Sequence, residues 1–220
     1  MISKYLLYLF FIFGSILNAN FFDEEDFFNE EDFYDKNLTW KDSIPSNMPL
    51  IKKPFWSEDG IFRKLNLAPE TRYEELILRK DMMQWHQRIA IVNIGLMSYQ
   101  YYLGKEIDQN NAYQTLGSDT YNEYKSRHKN LGYTTYTLYM TSAGLSIFSP
   151  PALKYDKNLS SMKLHRYLAA IHFTGMFIQP WLGYQANNHP DSDKYMDMHR
   201  KTGDIVFASY LLSFLLTLIP

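Results

Sequence analysis

The sequence predicts an all-α membrane protein, an antiparallel four-helix transmembrane bundle behind a mostly disordered acidic N-terminal segment. Three features carry this prediction: four stretches nearly free of charge, polar loops between them, and an acidic, proline-interrupted region before the first. Each stretch is about 18–19 residues long, near the minimum that crosses a hydrocarbon core. The stretches are residues 85–103, 131–148, 167–184 and 202–219.

Composition and charge exclude several classes of protein. The 220 residues contain 22 Lys and Arg against 24 Asp and Glu, and this balance argues against nucleic-acid binding, which needs a surplus of cations. Cysteine is absent from the sequence, which excludes disulfides, iron–sulfur clusters, thiolate zinc sites and covalently attached haem. A metal therefore has to be held by His or carboxylates, or enter within a cofactor that binds without a covalent link.

Residues 1–19 have the pattern of a secretory signal peptide. Lys4 precedes a short apolar run at 5–13, and small residues follow before residue 19. The run is too short to span a bilayer. Such a signal places the next segment, residues 20–80, outside the cytoplasmic membrane. The predicted location is a bacterial inner membrane, as a multi-pass protein with its N-terminal segment exported.

Residues 20–80 lack the pattern of a folded domain. Residues 21–35 form an imperfect acidic and aromatic repeat without Lys or Arg, and like charges this dense favour a disordered arm. The alternative is a docking strip for a basic redox partner. Residues 36–80 contain four prolines and predict a tether with one short helix near 69–80, whose acidic start and basic end suit a helix dipole. The bundle domain then occupies residues 81–220.

The four stretches are not uniformly apolar. Residues 131–148 carry six Thr and Ser side chains, which let helices pack closely inside a membrane, so we expect a bundle with a polar interior. The alternative is a soluble four-helix bundle. Residues 205–219 argue against it, because they are apolar around most of the helix. An exported N terminus gives an up-down-up-down order of spans, which the basic residues of the inner loops favour weakly.

Four of the six histidines lie at the starts of the four stretches: His86, His128, His165 and His199. In an antiparallel bundle, the first and third helices start at one end, and the second and fourth start at the other. This order predicts that His86 meets His165 and that His128 meets His199. Two imidazoles facing each other across a bundle are the ligands of a six-coordinate b-type haem. The helix rise puts the two sites about 20–25 Å apart.

The alternative for any one of these histidines is an interfacial residue at the end of a helix. The prediction of haem binding therefore depends on the pattern of all four. His172 lies seven residues after His165 and projects from nearly the same face. It is a substitute ligand, a hydrogen-bond partner of a haem propionate or quinone, or a packed core residue. His189, in an Asn-Asn-His-Pro segment, is predicted to lie in a loop.

Two motifs resemble the cytochrome b561 family. Leu-His-Arg-Tyr-Leu at 164–168, followed by Gln-Pro-Trp-Leu-Gly at 179–183, is similar to that family's His-Arg-x-Leu-Gly…Gln-Pro-x-x-Gly helix. His-Arg-Lys-Thr-Gly at 199–203 resembles the next helix, which opens His-Arg-x-x-Gly. Residues 127–132 are similar, less specifically, to the family's second core helix, and residues 85–87 are similar to its first.

The resemblance covers residues 82–220 and departs from the family in two places. Ala169 stands where Gly is common. The chain also offers only the four-helix core, as in bacterial relatives, whereas eukaryotic members usually have six spans.

The resemblance implies transmembrane electron transfer through two non-covalently bound b-type haems, with the four histidines as axial ligands. Arg166 and Arg200, each next to a ligand, are placed to pair with haem propionates, and the alternative is anchoring at lipid headgroups. The implied electron donor is quinol or a soluble reductant, and the implied acceptor is ferric iron or a periplasmic redox protein. Membrane lipid and quinone are the expected partners, and an oxidoreductase activity stays open.

Two other classes of protein stay open. One is a haem-free four-helix membrane scaffold or assembly factor whose acidic arm recruits a partner. The other is a His-lined transporter, which needs ionisable residues near mid-span, where His172 lies. An absorption spectrum of the oxidised and reduced protein separates these classes, because only the cytochrome has a b-type haem band.

Overall fold

The computed structural model describes residues 44–109, 112–155 and 159–218, and most of these residues are helical. The predicted signal peptide at 1–19 and the acidic repeat at 21–35 lie outside the described residues. The helices are α1 (Lys53–Trp56), α2 (Ile61–Lys64), α3 (Arg72–Asp108), α4 (Ala112–Leu116), α5 (Ser118–Phe148), α6 (Ser161–Asn188) and α7 (Ser192–Leu216).

The chain divides into two compact units. Among the described residues, the first unit contains 44–84 and 150–153, and the second contains 85–149 and 154–218. The division falls within α3, so that residues 72–84 of this helix belong to the first unit.

The predicted transmembrane bundle is wrong. No helix among the residues that the structure describes is both long enough and apolar enough to cross a membrane. The prediction rested on the scarcity of charged residues in four stretches, but uncharged polar groups interrupt each of them. These groups include Asn93, Gln100, His172 and Gln179, as well as the six hydroxyl residues of 131–148.

The start of α3 differs from the expected tether. The short helix expected at 69–80 is not separate, because α3 is one unbroken helix from Arg72 onwards. Thr71 and Glu74 form a capping box at its start: the Glu74 amide donates to Thr71 Oγ1 (3.2 Å), and the Thr71 amide donates to Glu74 Oε2 (3.2 Å). No Pro or Gly occurs in residues 72–94, so nothing in the sequence stops the helix there.

The start of α5 also precedes the predicted boundary at residue 131. Gly117 adopts a positive φ of 79°, a conformation that favours glycine, and α5 begins at the next residue. The first turns of α5 are polar, and the ion pair of Glu123 with Arg127 (2.5 Å, four residues apart) stabilises them. Because this part of α5 lacks an apolar stripe, hydrophobic periodicity does not reveal it.

The second unit contains a four-helix bundle of α3, α5, α6 and α7. His86 near the middle of α3 contacts Ser142 near the end of α5, whereas Gln100 further along α3 contacts His128 near the start of the same helix. These two contacts make α3 and α5 antiparallel. Contacts of the same kind make α6 and α7 antiparallel. We call α3 with α5, and α6 with α7, the two hairpins.

Contacts between the hairpins complete the bundle. The Tyr210 hydroxyl of α7 donates to the Ala90 carbonyl of α3 (3.1 Å), and Tyr139 of α5 contacts His172 of α6. Helix α5 therefore lies between α3 and α6, and α7 lies between α6 and α3. The diagonal pairs, α3 with α6 and α5 with α7, run parallel.

The interior of the bundle combines apolar and small residues. Leu103 of α3 and Leu182 of α6 are almost completely buried. Helices α6 and α7 approach closely at Gly175, where an added Cβ would lie 2.3 Å from Val206 Cγ2. Only glycine fits at this position without moving the helices apart.

A buried ion cluster organises the first unit. Glu75, in the first turn of α3, has no exposed side-chain surface and pairs with Arg63 (2.6 Å) and with Arg72 (2.7 Å). The Arg72 guanidinium also donates to the Pro151 carbonyl (2.7 Å). These bonds hold the segment 150–153 against the first turns of α3.

Glu75→Ala is expected to lower the free energy of unfolding by about 3–5 kcal/mol, because it removes a buried carboxylate from two buried guanidinium groups. Urea unfolding of the full chain measures the change. Glu70→Ala, which removes an exposed carboxylate five residues away, is the matched control and should change the value by less than about 0.5 kcal/mol. Equal effects of the two substitutions would contradict a buried role for Glu75.

Candidate functional site

The structure brings His128 of α5 and His199 of α7 together at one end of the bundle. Their ring centres are 6.3 Å apart and their ring planes are inclined at 82°. A metal–nitrogen bond of about 2 Å, plus about 1.2 Å from that nitrogen to the ring centre, requires about 6.4 Å when both rings bind one metal. The distance between the ring centres therefore equals the distance expected when two imidazoles bind one metal from opposite sides.

A main-chain hydrogen bond orients the ring of His128. Its Nδ1 lies 2.9 Å from the Gln100 carbonyl of α3. Because a carbonyl only accepts, Nδ1 carries the proton and Nε2 keeps a lone pair that can bind a metal. The Gln100 side chain is held in turn by Thr135, whose hydroxyl donates to Gln100 Oε1 (2.5 Å). The tautomer of His128 is therefore fixed by its surroundings.

Two glycines make room for the rings of this pair. A Cβ on Gly104 would stand 3.0 Å from Cε1 of His128, and a Cβ on Gly183 would stand 3.2 Å from Cε1 of His199. A larger residue at either position would press on the imidazole. On α6, Gln179 Nε2 donates to the His199 carbonyl (2.9 Å). His199 Nδ1 is buried, and a hydrogen bond to the Gln179 main chain raises the pKa of this imidazole.

His86 and His165 lie at the other end of the bundle, in matching surroundings. His86 Nδ1 is 2.9 Å from the carbonyl and 2.9 Å from the hydroxyl of Ser142. His165 Nδ1 is 3.0 Å from the carbonyl and 2.8 Å from the hydroxyl of Ser213. Both rings therefore share the tautomer of His128. The charge of His165 also lowers the pKa of His86.

Burial keeps all four imidazoles neutral. Loss of solvent is the largest cause that lowers the pKa of each ring, and a main-chain hydrogen bond opposes it at all four rings. His128 further lowers the pKa of His199, and Arg166 further lowers that of His165. The neutral ring is the form that binds a metal.

The two arginines of the predicted site lie next to their histidines and are exposed. Arg200 forms an ion pair with Asp108 at the end of α3. The Arg166 guanidinium lies 5.5 Å from the centre of the Tyr155 ring. Each guanidinium group is therefore near the outer end of one His pair and already has a surface contact.

The two hairpins repeat the same residues at the same spacings, which sequence reasoning missed. In α3 and again in α6, a His is followed by Gln after 14 residues and by Gly after 18. In α5 and again in α7, a His is followed by Gly after 4 residues, by Tyr after 11 and by Ser after 14. The corresponding residues of α3 and α6 are His86 and His165, Gln100 and Gln179, and Gly104 and Gly183. The corresponding residues of α5 and α7 are His128 and His199, Gly132 and Gly203, Tyr139 and Tyr210, and Ser142 and Ser213.

This repeat explains the composition of the two pairs. Each hairpin supplies one His to each pair, and the two members of a pair are equivalent residues. The residues that orient the rings are equivalent too, since Ser142 corresponds to Ser213 and Gln100 corresponds to Gln179. The spacing of His, Gln, Gly and Ser was the signal that could have revealed these supporting residues.

A third layer of residues lies between the two pairs. The Tyr139 hydroxyl is 2.5 Å from His172 Nδ1, and the His172 ring centre is 5.1 Å from that of Tyr210. Asn93, which corresponds to His172 in the repeat, is fully buried. We call Asn93, Tyr139, His172 and Tyr210 the central cluster. His172 is therefore a buried, hydrogen-bonded residue in the structure, whereas His189 lies in the turn between α6 and α7.

Comparisons with known proteins add no further constraint. No family model matches the chain, and no curated protein or solved structure matches it. Within the described ranges, no three or more His, Asp or Glu side chains surround a common metal position, although a haem iron takes only two protein ligands. The resemblance to cytochrome b561 therefore stays a prediction, and the argument for a cofactor depends on the two His pairs.

His172 should make the protein less stable in acid. Burial lowers the pKa of His172 to about 3, whereas the unfolded chain titrates at its ordinary value of about 6.5. Between these values the unfolded state binds a proton that the folded state does not, so stability falls as the pH drops below about 6.5, by up to about 1.4 kcal/mol per pH unit. His172→Asn should remove this part of the slope.

Urea unfolding at about pH 7.5, 6 and 5 measures this dependence. His189→Asn, in the turn between α6 and α7, is the matched control and should keep the slope of the wild type. A slope that is the same in His172→Asn and in the wild type would show that His172 does not stay neutral in the folded state.

Proposed function

We propose that the second unit binds two b-type haems without covalent attachment, one at each His pair, and transfers electrons through them. The observation that carries this proposal is the separation of 6.3 Å between the ring centres of His128 and His199. The resemblance to cytochrome b561 supports the same function, because its motifs assign the same four histidines as ligands.

The surroundings of the rings support binding of a metal by Nε2. Ser142, Ser213 and Gln100 each present a main-chain carbonyl to an Nδ1 of a different ring. This contact fixes the tautomer and makes Nε2 a stronger ligand. Bound haem would supply one-electron chemistry, and the protein would hold the ligands, exclude water and set the polarity around them.

The two sites lie in series along the bundle. On α3, His86 of the first pair and Gln100, which contacts the second pair, are 14 residues apart. With a rise of about 1.5 Å per residue, this is about 21 Å. An electron donor at one end and an acceptor at the other would therefore exchange electrons through both sites. The proposed donor is quinol or a soluble reductant, and the proposed acceptor is ferric iron or a redox protein.

Arg166 and Arg200 are the proposed partners of the haem propionates. Each follows a ligand in the sequence and is exposed at the outer end of its pair. A guanidinium group binds a carboxylate through two parallel hydrogen bonds. For Arg200, the propionate would take the place that Asp108 has now.

Absorption spectra of the full chain, purified from cells supplied with haem, test the proposal. The wild type should show a b-type band on reduction and about two haems per chain. His165→Ala removes a ligand from one pair, so it should lose about one haem and keep the other. His199→Ala should do the same at the other pair, and His189→Ala is the control that should keep both haems.

Two results would contradict the proposal. A wild-type protein without haem would favour the scaffold or assembly factor. Haem content that His165→Ala and His199→Ala leave unchanged would show that the ligand assignment is wrong. Circular dichroism of each variant establishes that the helices are intact, so that a loss of haem reports on ligation.

We also propose that lipid is a partner of the apolar outer surface of α6 and α7. Large apolar or aromatic side chains on these helices are more than half exposed: Phe177, Trp181, Tyr184, Ile205 and Leu212. Soluble monomers rarely expose apolar patches of this kind without a partner. The proposal concerns lipid contact and assigns no membrane-crossing helix.

Flotation of the protein with phosphatidylcholine vesicles tests lipid contact. Replacing both Phe177 and Trp181 by Ser should lower the bound fraction by at least about tenfold, because each side chain contributes about 1.5–3 kcal/mol when it leaves water. Tyr113→Ser, which changes an exposed aromatic residue of α4, is the control. Protein that stays unbound at low and high salt would contradict lipid contact and leave the haem proposal intact.

A further inference from the structure

The central cluster lies midway between the two His pairs. Asn93 follows His86 by seven residues and precedes Gln100 by seven on α3, and His172 holds the equivalent place on α6. With a rise of about 1.5 Å per residue, the cluster is about 10 Å along the bundle from either pair. Any polar group bound there is therefore equally near both sites.

Equivalent residues of the two hairpins meet in this layer, as the paired histidines do at the ends. The ring centres of Tyr139 and Tyr210 are 5.7 Å apart. The other equivalent residues in this layer are Asn93 and His172. Tyr210 contacts His172, because the centres of the two rings are 5.1 Å apart. Burial raises the pKa of Tyr210 to about 12, and the Asn93 side chain opposes this rise. Tyr210 thus has both His172 and Asn93 as neighbours.

Three polar atoms of the cluster, two donors and one acceptor, have no hydrogen-bond partner among the residues that the structure describes. Burial raises the pKa of Tyr139, so its hydroxyl keeps its proton and donates to His172 Nδ1 (2.5 Å). His172 is neutral, and its own proton is therefore on Nε2. This Nε2, Asn93 Oδ1 and Asn93 Nδ2 are all unpartnered, and His172 and Asn93 are only 6% and 0% exposed.

We infer that the central cluster binds one water molecule, which accepts a hydrogen bond from His172 Nε2 and donates one to Asn93 Oδ1. Water fits because the two groups need one acceptor and one donor, and because leaving both unsatisfied is costly in a buried site. Buried water commonly satisfies polar groups in this way. An ion does not fit, since the cluster is neutral and an ion cannot satisfy a donor and an acceptor together.

The water completes a hydrogen-bonded chain across the bundle. The chain runs from Tyr139 of α5 through His172 of α6 and the water to Asn93 of α3. Every member is neutral, and the water can reorient. The chain therefore offers a dipole that responds to charge at either His pair. The water site itself does not depend on the haem proposal.

Nuclear magnetic resonance of the full chain labelled with ¹⁵N-histidine tests this inference. The sample is kept reduced, so that any bound low-spin haem iron is diamagnetic. The Nε2 proton of His172 should give a signal that is absent from His172→Asn, with a cross-relaxation peak to a bound water. Asn93→Leu removes the acceptor and should abolish that peak while the signal remains. Asn122→Leu, at an exposed position of α5, should leave the peak unchanged.

A crystal structure gives a second measurement that needs no variant. Density for one atom within hydrogen-bond distance of both His172 Nε2 and Asn93 Oδ1 supports the inference. Direct contact between these two side chains overturns it, as does a His172 signal that has no water peak. The absorption spectrum of the same sample reports haem separately, so failure of the water site and failure of the haem proposal are distinguishable.

Discussion

Hydrogen bonds from imidazole rings to main-chain carbonyls set the register of the bundle. In the first hairpin, His86 bonds to Ser142 at one end and His128 bonds to Gln100 at the other. A shift of one residue between α3 and α5 would break both bonds and turn both rings away from their partners. The interaction that orients the proposed ligands is therefore the one that aligns the helices. A substitution that loosens the packing of the hairpin is therefore also expected to misplace an imidazole ring.

Sequence reasoning predicted that His128 and His199 meet but not what holds their rings. One His at the start of each helix and an alternating helix direction are sufficient for the pairing, because the starts of alternate helices lie at the same end. The carbonyls of Gln100 and Ser142 could not be predicted, since every residue has a carbonyl and its neighbour depends on how each helix is rotated. The direction of a long side chain is equally hidden, as the ion pair of Arg200 with Asp108 illustrates.

The use of charge as a guide failed in two opposite ways. Scarcity of charge in four stretches predicted membrane-crossing helices, which the described helices are not apolar enough to be. The charged residues before 131 were expected to form a loop but are helical from Ser118 onwards, and the charged helix expected near 69–80 continues without a break to Asp108. A capping box and ion pairs four residues apart stabilise a helix without an apolar face. Counting charges therefore misjudged both polarity and helix length.

The likeness of the two hairpins has an evolutionary consequence. A single hairpin carries one imidazole for each end, so it could complete a site only against another copy of itself, related by a half-turn. Such a homodimer would have identical residues opposite each other at every level. Joining two copies in one gene lets opposed positions diverge. The two hairpins differ at one such position, where α3 has Asn93 and α6 has His172, and this difference leaves a single imidazole halfway between the two His pairs.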